Sequence, residues 1–92
     1  MKLYVLIRKD LSTSQQAVQA GHAVAQYLLE HNDWKNETLV YLGVKDEDHL
    51  KKWLYMLDKE KIDYSLFKEP DIGNQITAIA TCKDKFKKLN CL

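Results

Sequence analysis

The sequence is poor in the residues that punctuate or staple a chain: one proline, three glycines and two cysteines in 92 residues. So little Pro and Gly, with no low-complexity stretch, excludes a flexible linker or a repeat array and predicts one continuous domain over residues 1–92. Cys82 and Cys91 have neither paired-thiol nor metal-ligand spacing, so no disulfide framework and no metal site is expected. Nothing in the chain reads as a signal peptide, and a reducing cytoplasm is the expected compartment. No apolar run approaches the roughly 20 residues of a membrane span, and Arg8 and Lys9 close the first one, so a soluble chain without a membrane partner is expected. Charge of one sign is also lacking. Fourteen Lys and Arg stand against thirteen Asp and Glu, a net charge of +1, so any contact with nucleic acid must be local. Glycine-rich phosphate loops, nucleophile elbows and RNA-binding aromatic pairs are missing as well, and no cofactor is expected.

What is present is an alternation of strand-like and helix-like segments. Lys2–Arg8 is a nearly continuous apolar run, the pattern of a central strand covered on both faces. Ser12 with Gln15, or Thr13 with Gln16, has capping-box spacing ahead of a helix over about 14–31. In that helix Ala17, Ala20, Val24 and Leu28 form an apolar stripe, with Val18 and Tyr27 at its flanks. Thr38–Val44 reads as a second strand. Asp46, Glu47 and Asp48 suit the start of a helix that carries Leu50, Trp53, Leu54 and Leu57. Residues 62–68 and 75–82 read as two further strands, an antiparallel pair about a turn at 69–74, and 83–89 has room for a short basic final helix. The order β-α-β-α-β-β predicts an α/β domain, a mixed sheet of about four strands flanked by helices.

Chemistry is expected where strand C-termini meet helix N-termini, which here is the segment 10–16. From it Gln15, Gln19, His22 and Gln26 run along one ridge of the first helix, which is either a solvated face or the wall of a site. An imidazole ordinarily titrates near pH 6.5, which makes His22 the ridge's candidate for proton transfer. Glu69-Pro70-Asp71-Ile72-Gly73-Asn74-Gln75 packs two acids and two amides into a single connection, more polarity than a turn needs. Thr77 and Thr81 follow as hydroxyls expected on one face of the last strand. Lys83, Lys85, Lys87 and Lys88 form the densest cationic patch, a candidate surface for RNA phosphates.

The ordered set Arg8-x-Asp10-Leu11, Gln19-x-x-His22-Ala23, Pro70-Asp71 and Thr77-Ala78-Ile79-Ala80 resembles the type 2 peptidyl-tRNA hydrolases over nearly the whole chain. The resemblance implies a four-stranded mixed sheet flanked by helices. It also implies hydrolysis, without metal or cofactor, of the ester joining a peptide to the 3′ end of tRNA. Carried across, it assigns Gln19, His22, Asp71 and Thr77 to the catalytic set. Asp10, Gln15 and Asn74 then join Lys83, Lys85, Lys87 and Lys88 as substrate-binding candidates, with tRNA as partner and a homodimer admitted. One departure stands out. The family usually carries a Gly-Lys pair at the start of the first helix; here the loop is about two residues shorter and Gln15 is nearest that place. A neutral amide can donate a hydrogen bond but brings no charge to an oxyanion, so a non-catalytic tRNA- or protein-binding module is the competing expectation.

Overall fold

A strand with no polar face must be covered on both sides, and the architecture follows from that demand. In the computed structural model, which describes residues 1–83, 86 and 89–92, β1 (Lys2–Arg8) is buried from Leu3 to Arg8 and lies inside a four-stranded sheet of order β2-β1-β4-β3. It pairs in parallel with β2 (Thr38–Val44) and antiparallel with β4 (Gln75–Thr81), which in turn pairs antiparallel with β3 (Ser65–Glu69). Helix α1 (Thr13–Glu30) covers one face, where Leu3, Val5, Ile7, Ala78 and Ala80 meet Ala20, Ala23 and Tyr27. Helix α2 (Glu47–Lys59) covers the other, where Leu6, Val44 and Ile79 meet Leu50 and Leu57. The chain is thus a single α/β unit of order β-α-β-α-β-β. Among the described residues no helix is long and apolar enough to cross a membrane. The final helix expected over 83–89 falls largely outside the described residues, as do Lys85, Lys87 and Lys88.

The local signals explain where the elements begin and end. Ser12 caps α1, its hydroxyl accepting from Gln15 N at 3.2 Å, and Asp46 caps α2 by accepting from His49 N at 2.9 Å. Helix α2 stops with Lys61 in the left-handed region (φ 56°), while Ile62 N donates to Leu57 O. That stop consumes residues 61–64, which is why β3 starts at Ser65 rather than at 62. Gly73 and Asn74 (φ 70° and 60°) turn the chain from the 3₁₀ segment Pro70–Ile72 into β4, two positive φ values in a row that suit Gly and Asn best.

Two expectations are corrected. The buried stripe of α1 is Gln19, Ala20, Ala23 and Tyr27, so Ala17, Val18 and Leu28 face outward. The helix is rotated toward its amide ridge because Gln19 finds polar partners inside, as described below, while Tyr27 keeps its hydroxyl bonded to Asp33 at 2.8 Å. The other correction concerns Thr77 and Thr81, which do not share a face. Phe67 pairs with Ala78 but Lys68 pairs with Ile76, so Thr77 is the extra residue of a β-bulge. The bulge turns Ile76 toward the α2 core and Thr77 toward α1, whereas Thr81 pairs with Tyr4, a residue of the α2 side.

The outer edge of β2 is partly covered by the chain's own end. Gly43 N donates to Asn90 O at 3.1 Å and Leu92 N to Tyr41 O at 3.0 Å, with Cys91 bridging antiparallel to Leu42. With two thin cores, each buried aliphatic group matters. Ile79 is fully buried between Leu6 and Leu66 in the pairing register. Ile79→Val should cost about 0.5–1.5 kcal/mol and Ile79→Ala about 2–5 kcal/mol, read as falling urea midpoints at constant m-value.

Candidate active site

The amide ridge of α1 runs along edge strand β3, with Gln19 buried while Gln15 and His22 stay exposed, and the two elements meet in a seam of side-chain rungs. Ser65, Phe67 and Glu69 share the α1-facing side of β3 because they alternate along the strand. Glu30 accepts from Ser65 Oγ, His22 stacks on Phe67, and Gln19 reaches Glu69. At the Glu69 end the seam opens into a cavity of about 290 Å³ lined by Leu11, Gln15, Gln19, Glu69, Asp71, Ile72 and Thr77.

Gln19 organises this cavity. It is buried, and every polar atom of its amide is used: Thr77 Oγ1 donates to Oε1 at 2.7 Å, and Nε2 donates to Glu69 Oε1 at 2.8 Å and to Gln15 Oε1 at 3.2 Å. The direction of the chain is set by chemistry. A carboxylate only accepts, so the amide nitrogen must point at Glu69, the amide oxygen at Thr77, and the threonine proton at Gln19. Glu69 Oε2 also lies 3.5 Å from Asp71 N, at the start of the 3₁₀ turn whose acids border the opening. Gln15 Nε2 donates to no described residue, which leaves one free amide donor at the cavity wall.

The structure therefore brings Gln15, Gln19, Asp71 and Thr77 to one cavity. His22 lies one helical turn away. It is exposed, stacked on Phe67 at a centroid distance of 4.2 Å with planes 6° apart, and its imidazole bonds to no described residue. Asn74 forms the turn and donates its backbone N–H to Glu69 O at 3.0 Å, without lining the cavity. Lys83 is exposed beyond the far end of β4, six residues or about 20 Å of strand from Thr77. Glu69 is the residue that sequence reasoning passed over. Its signal was the alternation with Phe67, which puts its carboxylate on the helix side, but its place before Pro70 reads as turn chemistry.

The chain's nearby cations do not enter the cavity. Arg8 is buried and forks onto Asp10, with Nε to Oδ1 at 2.9 Å and Nη2 to Oδ2 at 2.8 Å, while Nη1 donates to Gln75 Oε1 at 3.0 Å and to Ile76 O at 3.2 Å. Lys9 lies across Gly43 of β2, so close that a Cβ there would come within 2.5 Å of its Cδ. At the opposite end of the sheet a second crevice, about 420 Å³, holds Tyr27, Asp33 and Cys82. Burial pushes both the Tyr27 hydroxyl and the Cys82 thiol upward, which suits structural groups rather than a nucleophile. Among the described residues no group of three or more His, Cys, Asp or Glu could hold a metal ion.

Comparison with known proteins bears on this geometry in two ways. The family model described as peptidyl-tRNA hydrolase PTH2 matches residues 1–85. A solved structure of a protein of unknown function from Agrobacterium tumefaciens strain C58 superposes with a TM-score of 0.68 at 16% identity, over 87% of this chain and 84% of that one. That likeness concerns the fold alone. No curated protein sequence matches the chain.

The Arg8 fork holds the Asp10 carboxyl below its ordinary range, chiefly through the hydrogen bond. The stabilisation is thus present above the unfolded value of about pH 4 and is lost as the pH falls through the lower folded value. Asp10→Asn should remove this part of the acid limb of stability, a loss of at most about 1 kcal/mol because the carboxylate is 39% exposed. Urea midpoints measured from pH 6 downward should converge for parent and variant once the carboxyl is protonated.

Proposed function

From the premise that this chain belongs to the peptidyl-tRNA hydrolase PTH2 family, we propose that it hydrolyses the ester between a peptide, or an N-blocked amino acid, and the 3′ end of tRNA. The observation that carries the reading is the ordered chain Thr77 to Gln19 to Glu69 at the wall of a cavity that Asp71 and Gln15 complete. Such hydrolysis needs a held water, an acceptor for its proton and a donor for the oxyanion. In this reading Glu69 and Asp71, the two carboxylates that line the cavity, hold the water. The water oxygen bonds to the acyl carbon, its proton passes to a carboxylate, and the negative charge collects on the former carbonyl oxygen. Gln15 Nε2 is the free donor that can meet that oxygen. Collapse breaks the bond between the acyl carbon and the ribose oxygen, which takes the proton back from the carboxylate and leaves as free tRNA.

Gln19 and Thr77 act in this reading as positioning residues. Their shared bond fixes the amide so that Glu69 is held by a neutral donor and not neutralised by a cation. Lys83, with Lys85, Lys87 and Lys88, is assigned to phosphates of the acceptor stem, since about 20 Å separates Lys83 from Thr77 along β4. Asp10 and Asn74 support the substrate loops, one through Arg8 and the other through the turn. The missing lysine at position 15 predicts a slow enzyme rather than a different one, because an amide donates to an oxyanion without neutralising it.

The test is release of N-acetylated amino acid from tRNA by the purified protein. Glu69→Gln should lower kcat by about 10²–10⁴ with little change in KM, and Gln15→Lys should raise kcat above the parent. A parent that binds tRNA but releases no acyl group at saturating enzyme would overturn the hydrolase reading and leave a tRNA-end binding module.

A further inference from the structure

The rung between the cavity and the far end of the seam is an aromatic pair, and nothing in the reaction uses it. His22 and Phe67 lie face to face, 4.2 Å apart with planes 6° from parallel. Phe67 is partly buried and fixed in β3, while His22 is exposed, so one face of the imidazole is backed by the phenyl ring and the other is open. The imidazole makes no hydrogen bond to a described residue, so its position on the seam rests on the ring contact with Phe67. The surface beside it is open. A Cβ on Gly21 would meet nothing within 4 Å, and Val18, one turn back on α1, is exposed. Between Thr13 and Glu30 the helix carries no Lys, Arg, Asp or Glu, so it brings no cation for a phosphate to this stretch of the seam, whose flanking rungs carry the Glu69 and Glu30 carboxylates.

The pair is also tied to the cavity. His22 follows Gln19 by three residues, less than one 5.4 Å turn of helix. From the other side, Thr77 Oγ1 lies 3.4 Å from the carbonyl oxygen of Phe67. A substrate whose ester enters the cavity therefore has its next ring-sized group beside His22. On a tRNA ester that group is the base on the same ribose. Resting on the reading above, we propose that His22, backed by Phe67, is the stacking platform for the 3′-terminal nucleobase of the tRNA. Proteins that read single-stranded ends stack unpaired bases on aromatic and histidine rings, and a platform already layered holds the outer ring in place before the base arrives. The platform binds and orients; it transfers no proton.

Two measurements on the full chain test this. In the first, the tRNA carries 2-aminopurine as its 3′-terminal base. Binding should quench its fluorescence for the parent and for His22→Phe, and should not for His22→Ala. In the second, KM for N-acetylated aminoacyl-tRNA should rise about 5- to 150-fold in His22→Ala, the range that corresponds to the ~1–3 kcal/mol of one base stack. His22→Phe should recover most of that loss with kcat largely retained. Phe keeps the ring and removes the titratable nitrogens, so a kcat that collapses in His22→Phe as in His22→Ala would overturn the platform and make His22 a proton-transfer group. Unquenched 2-aminopurine with the parent bound, or an unchanged KM in His22→Ala, would overturn it too. Quenching by a parent that hydrolyses nothing would sink the hydrolase reading while supporting the platform. Matching urea midpoints for the parent and His22→Ala confirm that the change is in binding and not in folding.

Discussion

The burial of one primary amide holds the candidate site together. An amide taken out of water without partners costs several kcal/mol, so Gln19 can turn inward only where a hydroxyl, a carboxylate and a second amide are already waiting. These partners come from β4, from β3 and from the preceding turn of α1. The same residue therefore sets the rotation of the helix on the sheet, the direction of the Thr77 proton and the orientation of the Glu69 carboxylate. Loss of Gln19 would leave two of these groups facing each other without a mediator, which is why the helix keeps a polar residue at the N-terminal end of its buried stripe.

Much of the fold was legible because its signals are local. The uninterrupted apolar run of β1 demanded cover on both faces, and the strand bounds 2–8 and 38–44 follow from composition alone. Ser12 and Asp46 are helix starts that any capping rule finds. The start of β3 was not legible, because Lys61 is an ordinary residue and its left-handed conformation is imposed by the way α2 ends. The rotation of α1 was missed for a related reason. Hydrophobicity ranked Val18 and Leu28 above Gln19 as inner residues, whereas the partners that make Gln19 an inner residue lie fifty or more positions away.

The site shows the same division. The glutamine ridge and the acidic turn stood out as unusual accumulations of polarity, and resemblance linked them. What neither pattern nor resemblance supplied was Glu69, whose role depends on which side of an edge strand it occupies, and the engagement of Arg8, which a list of nearby cations would leave free to enter the cavity. Arg8 lies on the α2 side of β1 and is already committed to Asp10, Gln75 and the Ile76 carbonyl. The cavity consequently holds two acids and two amides, and no cation among the described residues that line it.

The bulge at Thr77 places the hydroxyl by counting rather than by chemistry. Without the extra residue the ladder between β3 and β4 would run on regularly and the side chain at that position would point to the α2 core. Residues 78–81 would keep their partners on β1, so the sheet itself would scarcely register the change. In lineage terms the scaffold and the site are thus separable by a single-codon insertion or deletion. A descendant could discard the hydroxyl, and with it the bond that orients Gln19, while every core position retained its residue type. Divergence of this sort is invisible to any comparison that scores identities column by column, and shows only where strand lengths are compared.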